Sequence, residues 1–261
     1  MIFNLPGTLS NFDKYSNKPF PIFEKKNFLN VDLFKKLEEN FPDEMYFDKV
    51  SDKGNKLSFD NSGKNFFKFL NKSEDWAFFY NEINNKKFIN YLFELIKYDL
   101  SLIENRKNIK KLNYIKKFSN NFYNRLYRKF LKIKFSNVRI GFQFSKIKKN
   151  CFIPPHCDVV NKLLSLMVYF PSNDILDNNS LGTNFYKIKN IRKKNLDIWD
   201  SKLMDEENVK EFLENYEIFY KSKFEKNKLV GFIKSNNSWH NVDIIDENIV
   251  RNSVNINLYL I

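Results

Sequence analysis

The sequence predicts an α+β fold in a single domain, mainly helical over residues 1–135 and built of short strands over 136–261, with a helical insertion near 196–226. Three observations predict it. The first half carries apolar residues at helical spacing between capping residues and prolines. The second half breaks into short segments rich in β-branched and aromatic residues, bounded by turn formers. The whole chain has 261 residues, 43% hydrophobic and 29% charged, which is the composition of a globular protein able to bury a sizeable core.

In order along the chain, "KPFPIFEKKNFLNVDLFKKLEENFP" reads as an extended piece followed by a helix. Asn30 can cap that helix, Leu33, Phe34 and Leu37 give it an apolar stripe, and Pro42 stops it. "KVSDKGNKLSFDNSGK" is a polar loop or hairpin. "DWAFFYNEINNKKFINYLFELIKYDLSLIEN" reads as two helices or one broken one, apolar at Phe88, Leu92, Leu95 and Ile96. From Ile115 to Ile133, apolar residues at helical spacing predict an amphipathic helix, with Lys116, Arg125, Arg128, Lys129 and Lys132 on its other face. "NVRIGFQFSKIK", "LLSLMVYF", "LGTNFYKI", "NKLVGFIKS", "WHNVDII" and "RNSVNINLYLI" are the expected strands, and strands at this spacing form a sandwich or a barrel. The stretch "DSKLMDEENVKEFLENYEIFYKSKFEK" interrupts them as the helical insertion.

No run approaches the roughly 18 apolar residues of a membrane helix. The first residues lack the basic and long apolar regions of a secretory signal. Two cysteines, Cys151 and Cys157, exclude a disulfide scaffold and predict a cytoplasmic protein. The net charge of +13 is local. Fifteen of the 44 Lys and Arg lie between Asn105 and Cys157 with no Asp or Glu, which leaves 29 basic against 31 acidic residues elsewhere. A basic segment at 105–157 predicts either a solvated helix face or an anionic partner, with nucleic acid among the candidates.

Histidine occurs twice, as His156 in "PPHCDVV" and His240 in "NSWHNVDII". In a strand, residues two apart face the same side, so His156 and Asp158 present an imidazole and a carboxylate together while Cys157 points away. A second imidazole completes a two-histidine, one-carboxylate set. That set leaves open positions on a metal ion and is used by non-haem Fe(II) oxygenases. His240, 82 residues after Asp158, can supply it. Eleven residues later, the strand from Arg251 alternates. Arg251, Ser253, Asn255 and Asn257 share one face, and Asn252, Val254, Ile256, Leu258 and Leu260 share the other, which is mostly apolar. A row of inward polar residues needs a polar ligand, and an arginine among them can clamp a carboxylate bidentately. Gln143 lies on a strand that could line the same pocket, although nothing in the sequence fixes its facing.

H-x-D, a distant His and Arg-x-Ser together resemble the Fe(II)/2-oxoglutarate-dependent oxygenase superfamily. The core is similar to the prolyl-4-hydroxylase-like branch, whose basic residue, hydroxyl and tyrosine after H-x-D match Lys162, Ser165 and Tyr169. "LGTNFYK" and "KLVGFIKSNNSWHNV" resemble a bacterial and phage subgroup with a Gly-Thr-x-x-Tyr stretch. The resemblance covers residues 136–261 apart from the insertion. It implies a double-stranded β-helix (jelly roll) core with N-terminal supporting helices. It implies Fe(II) on His156, Asp158 and His240, and 2-oxoglutarate on Arg251 with Ser253, Tyr169 and Ser165. O2 would be the other cosubstrate and ascorbate an aid, with release of succinate and CO2 and hydroxylation of an organic substrate. Related halogenases replace the carboxylate, so Asp158 favours hydroxylation. The substrate implied is a small molecule, a sugar-linked group or a peptide. Two alternatives stand beside this reading. One is a non-catalytic jelly-roll binding protein with a vestigial metal site. The other is a nucleic-acid demethylase, whose second arginine would fall at Asn257.

Overall fold

Asn30 begins the first helix by accepting hydrogen bonds at Oδ1 from the backbone N–H groups of Asp32 and Leu33, at 3.0 and 3.3 Å. Helix α1 (Val31–Glu39) buries Phe34 and Leu37 and ends three residues before Pro42. The computed structural model describes residues 2–49, 56–103, 112–114, 136–171, 181–189, 206–245 and 249–261. The amphipathic helix expected from Ile115 to Ile133, with its basic face, lies outside the described residues. Helix α2 (Lys64–Leu70) occupies a stretch that the sequence pattern assigns to no helix. At seven residues it is too short to be stable alone, and burial of Phe66, Phe69 and Leu70 on one face holds it in place. The long apolar stretch after it divides into α3 (Glu74–Ile83) and α4 (Lys86–Leu102), the second capped by Asn85 through the N–H of Phe88 at 2.9 Å.

The strands form two sheets. The larger runs in the order β1 (Lys14–Ser16), β2 (Ile22–Lys25), β11 (Leu229–Ile233), β8 (Lys162–Tyr169), β13 (Arg251–Leu260), β6 (Ser136–Ile147), β4 (Leu57–Asp60), β3 (Asp48–Lys49). A further strand, β5 (Leu112–Tyr114), joins β6 in parallel. The first half of the chain is therefore not helical support alone. Without β2 and β4, the strands β11 and β6 would each present an unpaired row of backbone donors and acceptors. The smaller sheet runs β10 (Tyr216–Lys221), β9 (Asn184–Ile188), β12 (His240–Val242), β7 (Ile153–His156), all antiparallel.

Of the helical insertion expected near 196–226, residues 196–205 lie outside the described residues, 206–215 are helical, and the part after Asn215 is corrected to a strand. Helix α5 spans Glu206–Asn215, and the chain then becomes strand β10, paired along β9. "YEIFYK" is aromatic and β-branched enough to take the edge that β9 offers, and this pairing outweighs the helical pattern leading into it.

The layers follow from alternation. Val254, Ile256 and Leu258 of β13 join Leu164, Leu166 and Val168 of β8 in a core with the helices. There Trp76 of α3 meets Phe144 of β6 with ring centroids 4.7 Å apart. The opposite face of the large sheet meets the small one, where Ile147, Tyr169, Phe185, Phe232 and Val242 pack together. A third cluster, with Cys157, Tyr186, Phe212, Tyr216 and Trp239, seats α5 on the small sheet. Among the described residues no helix is long and apolar enough to cross a membrane.

Candidate active site

Pairing of β12 with β7 sets His240 directly opposite His156, with ring centroids 4.2 Å apart. Asp158 lies two residues beyond the end of β7, and Cys157 between them turns away to pack near Trp239. The ligand atoms of His156, Asp158 and His240 all lie within 4.8 Å of one another. Atoms bound about 2.0–2.2 Å from one ion stand at most about 4.4 Å apart, so small side-chain adjustments bring all three onto a common centre.

The histidines have the form that a metal needs. His156 Nδ1 lies 3.0 Å from the Pro154 carbonyl oxygen and His240 Nδ1 lies 2.9 Å from that of Ser238. A carbonyl only accepts, so each Nδ1 carries the proton and donates it, leaving Nε2 as the free ligand atom. Burial, then the neighbouring His240, pushes His156 down to about 3. Burial likewise lowers His240. Both imidazoles are neutral. Burial alone would raise the Asp158 carboxyl, but the Lys162 ammonium, through its charge and its hydrogen bond, holds it well below the usual carboxylate range. Lys162 Nζ donates to Asp158 Oδ1 at 2.6 Å, and Ser165 Oγ donates to Oδ2 at 2.8 Å. Strand β8 thus aims the carboxylate. Two imidazole nitrogens and one carboxylate oxygen suit Fe(II) and neighbouring first-row ions and leave coordination positions for small ligands.

A second cluster surrounds Arg251, the first residue of β13, which is 2% exposed. Its Nε donates to the Leu181 carbonyl at 2.7 Å, one terminal nitrogen to Ser253 Oγ at 3.4 Å, and the other to Thr183 Oγ1 at 3.2 Å. The guanidinium carbon sits 5.1 Å from the Tyr169 ring centre and 5.5 Å from that of Phe224. Tyr169 Oη shares hydrogen bonds with Thr183 Oγ1 and Ser222 Oγ, each at 2.9 Å. Among the described residues no carboxylate pairs with Arg251, and burial lowers its proton affinity. A buried cation held only by neutral groups is the feature an anionic ligand would complete.

Both clusters open on one cavity of about 390 Å³ between the sheets. The structure brings His156, Asp158 and His240 together, and Arg251, Ser253 and Tyr169 together. Ser165 sits apart from the second group, with its hydroxyl engaged by Asp158. Gln143 faces the cavity, where Oε1 accepts from Lys56 Nζ at 3.0 Å and from Asn255 Nδ2 at 3.2 Å. Sequence reasoning missed Thr183, Ser222 and Lys56. Thr183 was within reach, because it follows Gly182 in the quoted Gly-Thr stretch. A Cβ on Gly182 would lie 1.6 Å from the Ser222 carbonyl oxygen, so only glycine lets these two segments approach. Ser222 and Lys56 carry no sequence signal, because strand pairing alone brings them to the site.

No family model matches the chain, and no curated protein matches it in sequence. Solved structures similar to it include a prolyl-4-hydroxylase from Pseudomonas putida, at 10% identity over 92% of both chains and a TM-score of 0.47. A prolyl hydroxylase from Trichoplax adhaerens, bound to a hypoxia inducible factor peptide fragment, matches at 10% identity over 91% of this chain and 83% of the other, with a TM-score of 0.47. HygX from Streptomyces hygroscopicus, with nickel, 2-oxoglutarate and hygromycin B, matches at 6% identity over 92% and 82%, with a TM-score of 0.45. At identities this low and TM-scores under 0.5, the chain's own side chains have to carry its function.

Proposed function

We propose that this chain is an Fe(II)- and 2-oxoglutarate-dependent oxygenase that hydroxylates a small organic substrate, with the two sheets acting as a double-stranded β-helix core. One observation carries the reading: a two-histidine, one-carboxylate set and a buried arginine that pairs with no carboxylate among the described residues face the same cavity. His156, Asp158 and His240 hold one side of the metal. Lys162 and Ser165 keep the Asp158 carboxylate ionised and aimed. Arg251 takes the distal carboxylate of 2-oxoglutarate, with Ser253, Thr183 and Tyr169 supplying hydroxyls around it. Phe232, on the cavity wall with its ring centre 4.6 Å from that of His240, adds apolar surface that limits water near the metal ligands. Bound Fe(II), with 2-oxoglutarate and O2, supplies an oxidant for a substrate C–H bond as succinate and CO2 form. At Asn257, a buried neutral amide occupies the position where a demethylase would carry a second arginine, which favours a substrate other than nucleic acid.

The test is succinate formation from 2-oxoglutarate in the presence of O2, with ascorbate as reductant. It should require Fe(II) and should vanish in His240→Ala and Asp158→Ala. Succinate formed equally by these variants, or none formed by the native chain across a broad panel of organic substrates, would leave a non-catalytic binding protein.

A further inference from the structure

Among the described residues, Lys56 is a basic side chain of the cavity wall that metal and 2-oxoglutarate binding do not use. Of the other basic side chains on that wall, Lys162 is paired with Asp158, Arg251 is assigned to 2-oxoglutarate, and Arg139 stacks its guanidinium 4.7 Å from the Tyr259 ring centre. Lys56 has a neutral partner, the Gln143 side-chain oxygen at 3.0 Å, and among the described residues no carboxylate pairs with it. Burial first, then the charges of Lys162 and Arg251, push its ammonium down to about 8, and Asp158 and Asp60 offset this only in part. A half-buried ammonium among other cations is unfavourable until an anion joins it.

The seat beneath Lys56 is built. Gln143 Oε1 also accepts from Asn255 Nδ2 at 3.2 Å, and Gln143 Nε2 donates to Ser58 Oγ at 3.2 Å. Three adjacent strands, β4, β6 and β13, therefore fix the amide on which the ammonium rests. Asn255 lies four residues along β13 from Arg251, about 13 Å at the rise of a strand. That separation makes the two seats different, so one carboxylate end of 2-oxoglutarate does not serve both. A single ammonium beside carboxamides matches a singly charged carboxylate better than a doubly charged phosphate.

We propose that Lys56, seated on Gln143 beside Asn255, is a second anion subsite that binds a carboxylate of the substrate to be oxidised. The inference rests on the cavity being the Fe(II) and 2-oxoglutarate site, and it narrows the substrate to a small carboxylic acid.

The test is a titration followed by NMR of protein carrying 13C-labelled lysine, loaded with diamagnetic Zn(II) and one equivalent of 2-oxoglutarate, with constant ionic strength held with chloride. Lys56→Met identifies the Lys56 Cε–H signal, and the remaining lysines serve as internal controls. Acetate should move the Lys56 signal to saturation, acetamide should leave it still, and phosphate should act only at higher concentration. Gln143→Leu, which removes the seat, should raise the acetate midpoint about fivefold, the worth of one hydrogen bond. An unmoved Lys56 signal, an equal response to acetamide, tighter binding of phosphate or an unchanged midpoint in Gln143→Leu would each overturn the proposal. Failure of the wider reading looks different: calorimetry would then show no metal-dependent binding of 2-oxoglutarate, whatever acetate does at Lys56.

Discussion

Asp158 illustrates how a buried carboxylate is kept both charged and useful. Its two oxygens are each engaged, one by Lys162 and one by Ser165, so its orientation is fixed before any metal arrives. Outer partners of this kind are worth about 10–100-fold in metal affinity. Ser165→Ala should therefore weaken metal binding by about tenfold, measured by competition with a chelator, while Ser253→Ala, beside Arg251, should not. The histidines add a pH prediction. His156 is held at about 3, whereas an unfolded imidazole takes a proton below about 6.5. The unfolded chain then binds more protons than the folded one, so stability of the metal-free protein falls as pH drops from about 6.5 toward 3. Urea midpoints should decline between about pH 7 and pH 5, and the decline should be shallower in His156→Gln. Equal slopes in the two proteins would show that His156 is not the group responsible. These residues were legible in the sequence because histidine is rare and Arg-x-Ser follows His240 at short range. Lys56 was not, because its role depends on β4 lying beside β6.

At the scale of elements, β13 was readable in full, since a period of two over ten residues separates a polar cavity face from an apolar core face. The region after α5 was not readable. Its acidic, helix-favouring start masks a strand whose only reason to form is the exposed edge of β9. The joint between these two regions is Gly182. Gly182→Ala forces a methyl against the Ser222 carbonyl oxygen, so it should displace Thr183 and weaken 2-oxoglutarate binding as well as lower the melting temperature. Asn30→Ala is the contrasting case. It removes the cap of α1, which supplies no residue to the cavity wall, and should cost about 1 kcal/mol of stability with metal affinity unchanged. A matching loss of metal affinity in Asn30→Ala would mean that α1 and the site are coupled.

At the scale of the molecule, the three layers divide the work. The helices and the outer face of the large sheet form an aromatic core in which Trp76, Phe142 and Phe144 touch, and this core backs the sheet that carries Arg251, Ser165 and Lys162. The small sheet brings in both histidines from paired strands. The site exists only where the two sheets face each other, which is why half of its residues come from segments far apart in sequence. The central claim is that this meeting place binds a metal and 2-oxoglutarate together. Calorimetric titration of 2-oxoglutarate into Mn(II)-loaded and metal-free protein, with Arg251→Ala alongside, tests it most directly. The account predicts one 2-oxoglutarate per chain, bound only when the metal is present. It also predicts affinity at least about 30-fold weaker in Arg251→Ala, equivalent to about 2 kcal/mol for a truncated buried charge pair. Binding that ignores the metal, or that survives Arg251→Ala unchanged, would contradict it.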